Sequence, residues 1–204
     1  MQRQQIEYIV STACTMFVEH GIKTVRMDDI AKATKVSKRT LYEIFSDKEG
    51  LLSQAMKYYF ARLDVERNNV SKDATNVLTA VLASSEFIIL NSEVAWRTRM
   101  DLKRFYPSIL EMIEKHNSEV NNREFKARLL KGIEEGLIRS NINIELAISM
   151  LRYVALGIVE SDSRMALPTG LSQKQAFFES LVNFLRGIAT SKGIELIDNH
   201  LQKS

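Results

Sequence analysis

A chain of 204 residues with 45% apolar and 26% charged residues has the composition of an ordinary globular protein, long enough for a full core in one or two domains. The net charge is only +3, so nonspecific electrostatics are modest, and no apolar run approaches the ~18 residues of a membrane span. Cys14 is the only cysteine, which excludes an intrachain disulfide, and the start MQRQQIEYIV lacks the apolar core of a signal peptide; both fit a cytoplasmic location.

The first predicted helix runs from Ile6 to His20 and stops at Gly21. Ile9, Val10, Ala13 and Phe17 follow Ile6 at the spacing of one helical face, and Cys14 beside them reads as a small buried residue. The segment from Met27 to Leu51, MDDIAKATKVSKRTLYEIFSDKEGL, follows. It reads as two short helices around a tight turn, with a third helix starting at once. This is helix-turn-helix spacing, which places the second helix in a DNA major groove.

Within this motif Ile30 and the small Ala31 face Leu41 and Ile44 across the turn, with Val36 anchoring it. Ser37 is placed to cap the second helix, so Ser37, Lys38, Arg39 and Thr40 occupy the start that approaches bases and phosphates. Ser46 to Glu49 reads as a Ser-x-x-Glu capping box opening the next helix, with Lys48 near an anion-favouring N-terminus. The turn needs a residue with positive φ. Lys35 stands there, at a cost of about 1 kcal/mol that a packed trihelical core absorbs. Residues 23–48 hold seven Lys or Arg against four Asp or Glu, which accounts for the whole net charge.

The stretch GIKTVRMDDIAKATKVSKRTLYEIFSDKEGL, with the helix before it, resembles the DNA-binding domain of the TetR-type bacterial transcriptional regulators. The resemblance covers the first quarter of the chain; the remainder matches only in length and in being helical. It implies DNA contact from Ser37, Lys38, Arg39 and Thr40, and phosphate contact from Tyr42 and Lys48. Two positions depart from the family pattern. Arg26 stands where that family has a capping Ser or Thr, and Lys35 where it has Gly. Both add positive charge, which suits phosphate, and Thr24 or Asp28 is left to cap instead. Thr24, Arg26 and Lys35 therefore join the candidate DNA-binding set.

Further along, the third helix continues through Leu52, Ala55, Met56, Tyr59, Phe60 and Leu63 to about Arg67. A polar break at Asn68 to Asp73 is the expected domain boundary. Helices are expected over about Ala74 to Leu90, near Glu93 to Phe105, and from Pro107 to about Gly136. Asn141 to Asn143 then caps a helix bearing Ile144, Ala147, Ile148, Leu151, Val154, Ala155 and Ile158. Ala166 to Leu171 is expected as a loop, and Phe177 to Ile188 as the last strong helix. The fold class is therefore all-α. An N-terminal three-helix DNA-binding domain spans 1–50, with a connecting helix over 47–67. A helical effector-binding and dimerisation domain spans 68–204.

The last two helices are strongly apolar. Their stripes either fill their own domain or form a four-helix contact between two copies; the resemblance implies the second, and a two-fold dimer would present two recognition helices to successive grooves. The expected interface is Ile144, Ile148, Leu151, Ala155, Ile158, Phe178, Leu181, Leu185 and Ile188. Phe87, Trp96, Met100, Phe105, Met112 and Tyr153 are candidates to line an effector pocket, although for any one of them ordinary core is the more common role.

No enzyme motif stands out. His20, His116 and His200 lack metal-ligand spacing, and neither a phosphate-binding glycine loop nor a Gly-x-Ser-x-Gly elbow occurs, so no catalytic residue, metal or cofactor is expected. Gly132 and Gly136 on a charged helix read as packing or a helix end, and Glu134 and Glu135 as solvated surface. The expected function is a cytoplasmic homodimeric repressor that binds a palindromic operator and is released by a small molecule. An organisational DNA-binding protein without a switch, and a helical interaction module that has lost DNA binding, stay open as alternatives.

Overall fold

A computed structural model describes residues 3–159 and 167–202. Among them every regular element is helical: α1 Arg3–His20, α2 Met27–Thr34, α3 Lys38–Phe45, α4 Lys48–Val70, α5 Val77–Leu90, α6 Ser92–Phe105, α7 Pro107–Glu134, α8 Ile144–Val159, α9 Gln173–Ile188 and α10 Ser191–Leu201. A lone antiparallel bridge joins Ile138 to Ala189. No single described helix is long and apolar enough to cross a membrane.

The chain divides into two compact units. One is Met1–Glu66 with Glu93–Asn117; the other is Arg67–Ser92 with Ser118–Ser204. This differs from the expected single C-terminal domain over 68–204. The reason is burial. Leu102 on α6 and Ile109, Leu110 and Ile113 on α7 are buried in one cluster with Ile9, Phe17, Ile30, Leu41 and Leu52, completing the core around the helix-turn-helix. The boundary falls inside α4, between Glu66 and Arg67, rather than in the polar break after it, because α4 continues to Val70.

The second unit has its own core. Val77, Leu78 and Leu82 of α5 pack with Leu129 of α7, Ile148 of α8, and Leu181, Val182 and Leu185 of α9. Its helix starts are set by side chains. Asn76 Oδ1 accepts from the Leu78 and Thr79 amides, so α5 begins at Val77, three residues later than the pattern suggested. Ser172 and Gln175 form a capping box on α9, and Asn143 Oδ1 accepts from the Leu146 amide at the start of α8. In the expected loop, Leu167 to Leu171 is non-helical, with Gly170 at φ +88°; Ala166 lies outside the described residues.

The helix α10 was not anticipated. Thr190 caps it, and its Ile197 is fully buried in the second core. Gly193 allows it to approach closely: an added Cβ would lie 2.2 Å from the Leu137 carbonyl oxygen. Gly132 serves packing likewise, since a Cβ there would meet Ile138 at 2.5 Å, while Gly136 at φ +68° ends the segment after α7. Glu135 is not simply solvated surface. Its Oε2 accepts from the Val77 amide at 3.2 Å, placing a carboxylate at the α5 N-terminus, where the helix dipole favours it.

Candidate nucleic-acid interface

The helix-turn-helix is built from local chemistry first. At the α2 start no side chain at Arg26, Thr24 or Asp28 caps. Instead Asp29 reaches back and accepts from the Arg26 amide at 2.9 Å, so the carboxylate three residues in replaces the missing Ser or Thr. The turn after α2 closes on Lys35, which adopts φ 55°, ψ 33°, the left-handed conformation its position requires. The Val36 amide then donates to Ala31 O at 3.1 Å. Ser37 caps α3 by accepting from the Thr40 amide at 3.0 Å, and its hydroxyl also pairs with that of Thr40.

The end of α3 departs from the expected capping box. Ser46 terminates α3 at φ 65°, its amide donating to Tyr42 O. Asp47, one residue on, caps α4 by accepting from the Gly50 amide at 2.7 Å. At φ 65° Ser46 lacks the extended backbone of an N-cap, so that role passes to Asp47.

These caps set which side chains face outward. Leu41 and Phe45 are buried, while Ser37, Lys38, Arg39, Tyr42 and Glu43 are exposed and Thr40 is half-buried. Thr24, Arg26 and Lys35 are exposed on the flanking turns. Two of the cations carry acidic neighbours. Lys38 Nζ lies 2.9 Å from Asp28 Oδ1 of α2, and this hydrogen bond raises its pKa above the usual lysine value. Arg39 Nε donates to Glu43 Oε1 at 2.8 Å, one turn along α3.

Lys48 takes a structural position. Its Nζ donates to Ile22 O at 2.6 Å and sits 5.7 Å from the Phe17 ring centre. Burial pulls its pKa down, partly opposed by the Asp29 charge. Two residues not singled out by sequence complete this arrangement. Asp101 Oδ2 accepts from the Ile22 amide at 3.1 Å, and Arg97 donates to Val18 O at 2.6 Å. Ile22 is fully buried, so its N–H and C=O would be orphaned without Asp101 and Lys48. Side chains of α6 and α4 thus hold the end of α1 and the connection that leads into α2. No local pattern reveals pairs separated by 79 residues in sequence.

The second unit contains an open cavity of about 270 Å³. Val81 and Ile88 of α5, Phe125 of α7, Leu151 and Ala155 of α8 and Phe177 of α9 give it an apolar wall. Arg67, Arg128 and Arg152 supply cations, and Glu124 an anion. None of the six aromatic or Met candidates lines it. Trp96, Met100, Phe105 and Met112 lie in the first unit, where Phe105 carries the Lys23 ammonium over its face at 5.0 Å. Phe87 and Tyr153 lie in the second, with Tyr153 69% exposed on the outer face of α8.

The residues expected at a dimer interface point inward instead. Ile148, Ile158, Leu181, Leu185 and Ile188 are buried within the chain. Ile144, Leu151 and Phe178 pack partly against that core, and Ala155 lines the cavity. The apolar face that α8 leaves open is a different one: Leu146, Met150, Tyr153 and Val154, each at least 43% exposed. Their spacing of four, three and one puts them on one side of the helix.

Comparison with known proteins places the helix-turn-helix segment beside a described family. Residues 9–55 match the family described as bacterial regulatory proteins, tetR family. The HTH-type transcriptional repressor KstR2 of Mycolicibacterium smegmatis is 25% identical over 197 residues, covering 91% of each chain. A solved TetR transcription regulator from Haloarcula marismortui superposes with TM-score 0.70 at 14% identity, covering 93% of this chain and all of that one. The ketosteroid transcriptional regulator KstR2 of Mycobacterium tuberculosis superposes with TM-score 0.56 at 20% identity, over 94% of this chain and 98% of that one. Residues 9–55 are thus similar to a TetR-type helix-turn-helix domain, and over nearly its whole length the chain is similar to DNA-binding transcriptional regulators.

Proposed function

We propose that this chain is a cytoplasmic homodimeric TetR-type repressor, held on a palindromic operator and released by a small molecule taken up in its second unit. One observation carries the reading: α3 projects Ser37, Lys38, Arg39 and Tyr42 to solvent from a capped helix seated on a buried core. That is the geometry of a helix that reads base edges and phosphates. The repressor assignment draws on the name of the M. smegmatis relative. Nothing in this reading calls for catalysis.

Dimerisation is assigned to the outer face of α8. Four exposed large apolar side chains on one side of one helix are more than solvent exposure alone favours, and a second copy covers them by two-fold symmetry. Replacing Met150 and Tyr153 together by Asp is expected to give a monomeric mass by light scattering. Operator affinity should fall roughly a hundredfold or more, because the second half-site no longer adds avidity. A double variant that stays dimeric removes α8 as the interface.

Release follows as a population shift. The effector binds more tightly to a dimer whose recognition helices no longer match the groove spacing, so DNA affinity falls by the same factor.

The test is selection of bound duplexes from a random pool at near-physiological salt. A palindrome with half-sites about one helical turn apart, or a little more, is the expected product. Salt-sensitive binding with no enriched sequence would contradict the operator-reading role.

A further inference from the structure

The cavity of the second unit is lined by three arginines, Arg67, Arg128 and Arg152, and one acidic side chain, Glu124. Arg67 is paired: its NH2 lies 2.9 Å from Glu124 Oε2, and its NH1 donates to Asn121 Oδ1. Arg128 stands one turn further along α7 than Glu124. Its NH1 donates to neutral oxygens, Ser84 Oγ at 2.9 Å and Ala80 O at 3.4 Å, and no carboxylate among the described residues lies within ion-pair distance. Burial, and then repulsion from Arg67, pull the Arg128 pKa down. Arg128 therefore stands beside a second guanidinium in a partly buried corner, next to an apolar wall. A half-buried cation short of a counter-charge is costly unless an anion completes it. A guanidinium fork matches carboxylate or phosphate oxygens in particular.

We propose that the effector is an amphiphilic anion, its acid group held by Arg128 beside Arg67 and its apolar body against the rest of the wall. This rests on reading the cavity as the effector site. The volume of about 270 Å³ lies near the low end for small-molecule sites, so the body is small.

The full-length protein is titrated calorimetrically with sodium decanoate, decyl phosphate and 1-decanol. Either acid is expected to bind roughly tenfold or more tighter than the alcohol, since a hydrogen bond to a charged group is at stake. The tighter acid identifies the head group as carboxylate or phosphate. In Arg128→Gln this preference should collapse while decanol binding is kept. In Glu124→Gln it should grow, because the competing carboxylate is gone. Opposite changes from two neighbouring substitutions do not arise from misfolding. Equal binding of acids and alcohol, no binding of any of them, or a preference indifferent to both substitutions overturns the proposal. Operator selection is scored separately: its failure alongside Arg128-dependent acid binding would remove the regulator reading and leave this one.

Discussion

Gly50→Ala is expected to abolish operator binding and to destabilise the first unit by about 3 kcal/mol or more. Gly50 lies in the first turn of α4, directly under the end of α3. An added Cβ would sit 2.1 Å from the Phe45 carbonyl oxygen and 3.3 Å from its carbon. Both are backbone atoms, so no side-chain rotation relieves the clash. Phe45 is 3% exposed in the core, and moving it shifts α3 itself. Alanine gains about 1 kcal/mol of helix propensity over glycine, which the overlap exceeds. The same gain is available at Gly187 on α9, where nothing lies within 4 Å of an added Cβ. Gly187→Ala is therefore the control, expected to melt at or slightly above the wild-type temperature. Thermal denaturation and binding to the selected duplex read both. Wild-type melting and wild-type DNA affinity in Gly50→Ala would show that α3 and α4 are not packed as described.

That glycine marks the border of what the sequence made legible. Features fixed within a few residues could be read directly. Lys35 in the left-handed turn and Ser37 as the α3 cap are local demands, and both occur as expected. The α4 start was misplaced by one residue because Ser46 and Asp47 are both good caps. The positive φ of Ser46 decides between them, and residue type alone does not foretell it. Features fixed by distant partners were not legible. Asp101 and Arg97 look like surface charges on α6 until the chain brings them to Ile22 and Val18.

The α8 helix shows a different limit. It is apolar on two faces, so periodicity finds a helix but does not say which stripe meets the core. The residues chosen for an interface, such as Ile148 and Leu151, turned inward, and Met150 and Tyr153 turned outward. The cavity was missed for a related reason. Large aromatic and Met side chains are the sequence's obvious cavity candidates, whereas the wall combines mostly medium apolar residues with Arg67 and Arg128, whose charges suggest surface when read one at a time. A guanidinium can line a cavity while its stem packs against apolar neighbours, so exposure is not readable from residue type alone.

Arg39→Ala is expected to weaken binding to the selected operator by roughly tenfold to a hundredfold, the range of a lost base-edge contact. Arg39 begins the exposed face of α3, and its side chain is 88% exposed. Its partner Glu43 is 57% exposed, and a solvated pair of this kind contributes only about 0–1 kcal/mol, so DNA can take the guanidinium without a large penalty. The pair nonetheless competes with DNA, and Glu43 adds its own repulsion to phosphate. Glu43→Gln should therefore raise affinity a few-fold where Arg39→Ala lowers it. Fluorescence anisotropy with labelled duplex at two salt concentrations separates the roles of Arg39. If it reads a base, specificity relaxes at one operator position and the salt slope is kept. If it holds a phosphate, affinity falls across sequences and the slope drops by about one. Lys38 is the internal comparison. Its exposed ion pair with Asp28 links α3 to α2, so Lys38→Ala should act through the salt slope rather than through sequence preference. Unchanged affinity in Arg39→Ala would mean that the N-terminal turn of α3 does not face DNA, whatever the fold around it.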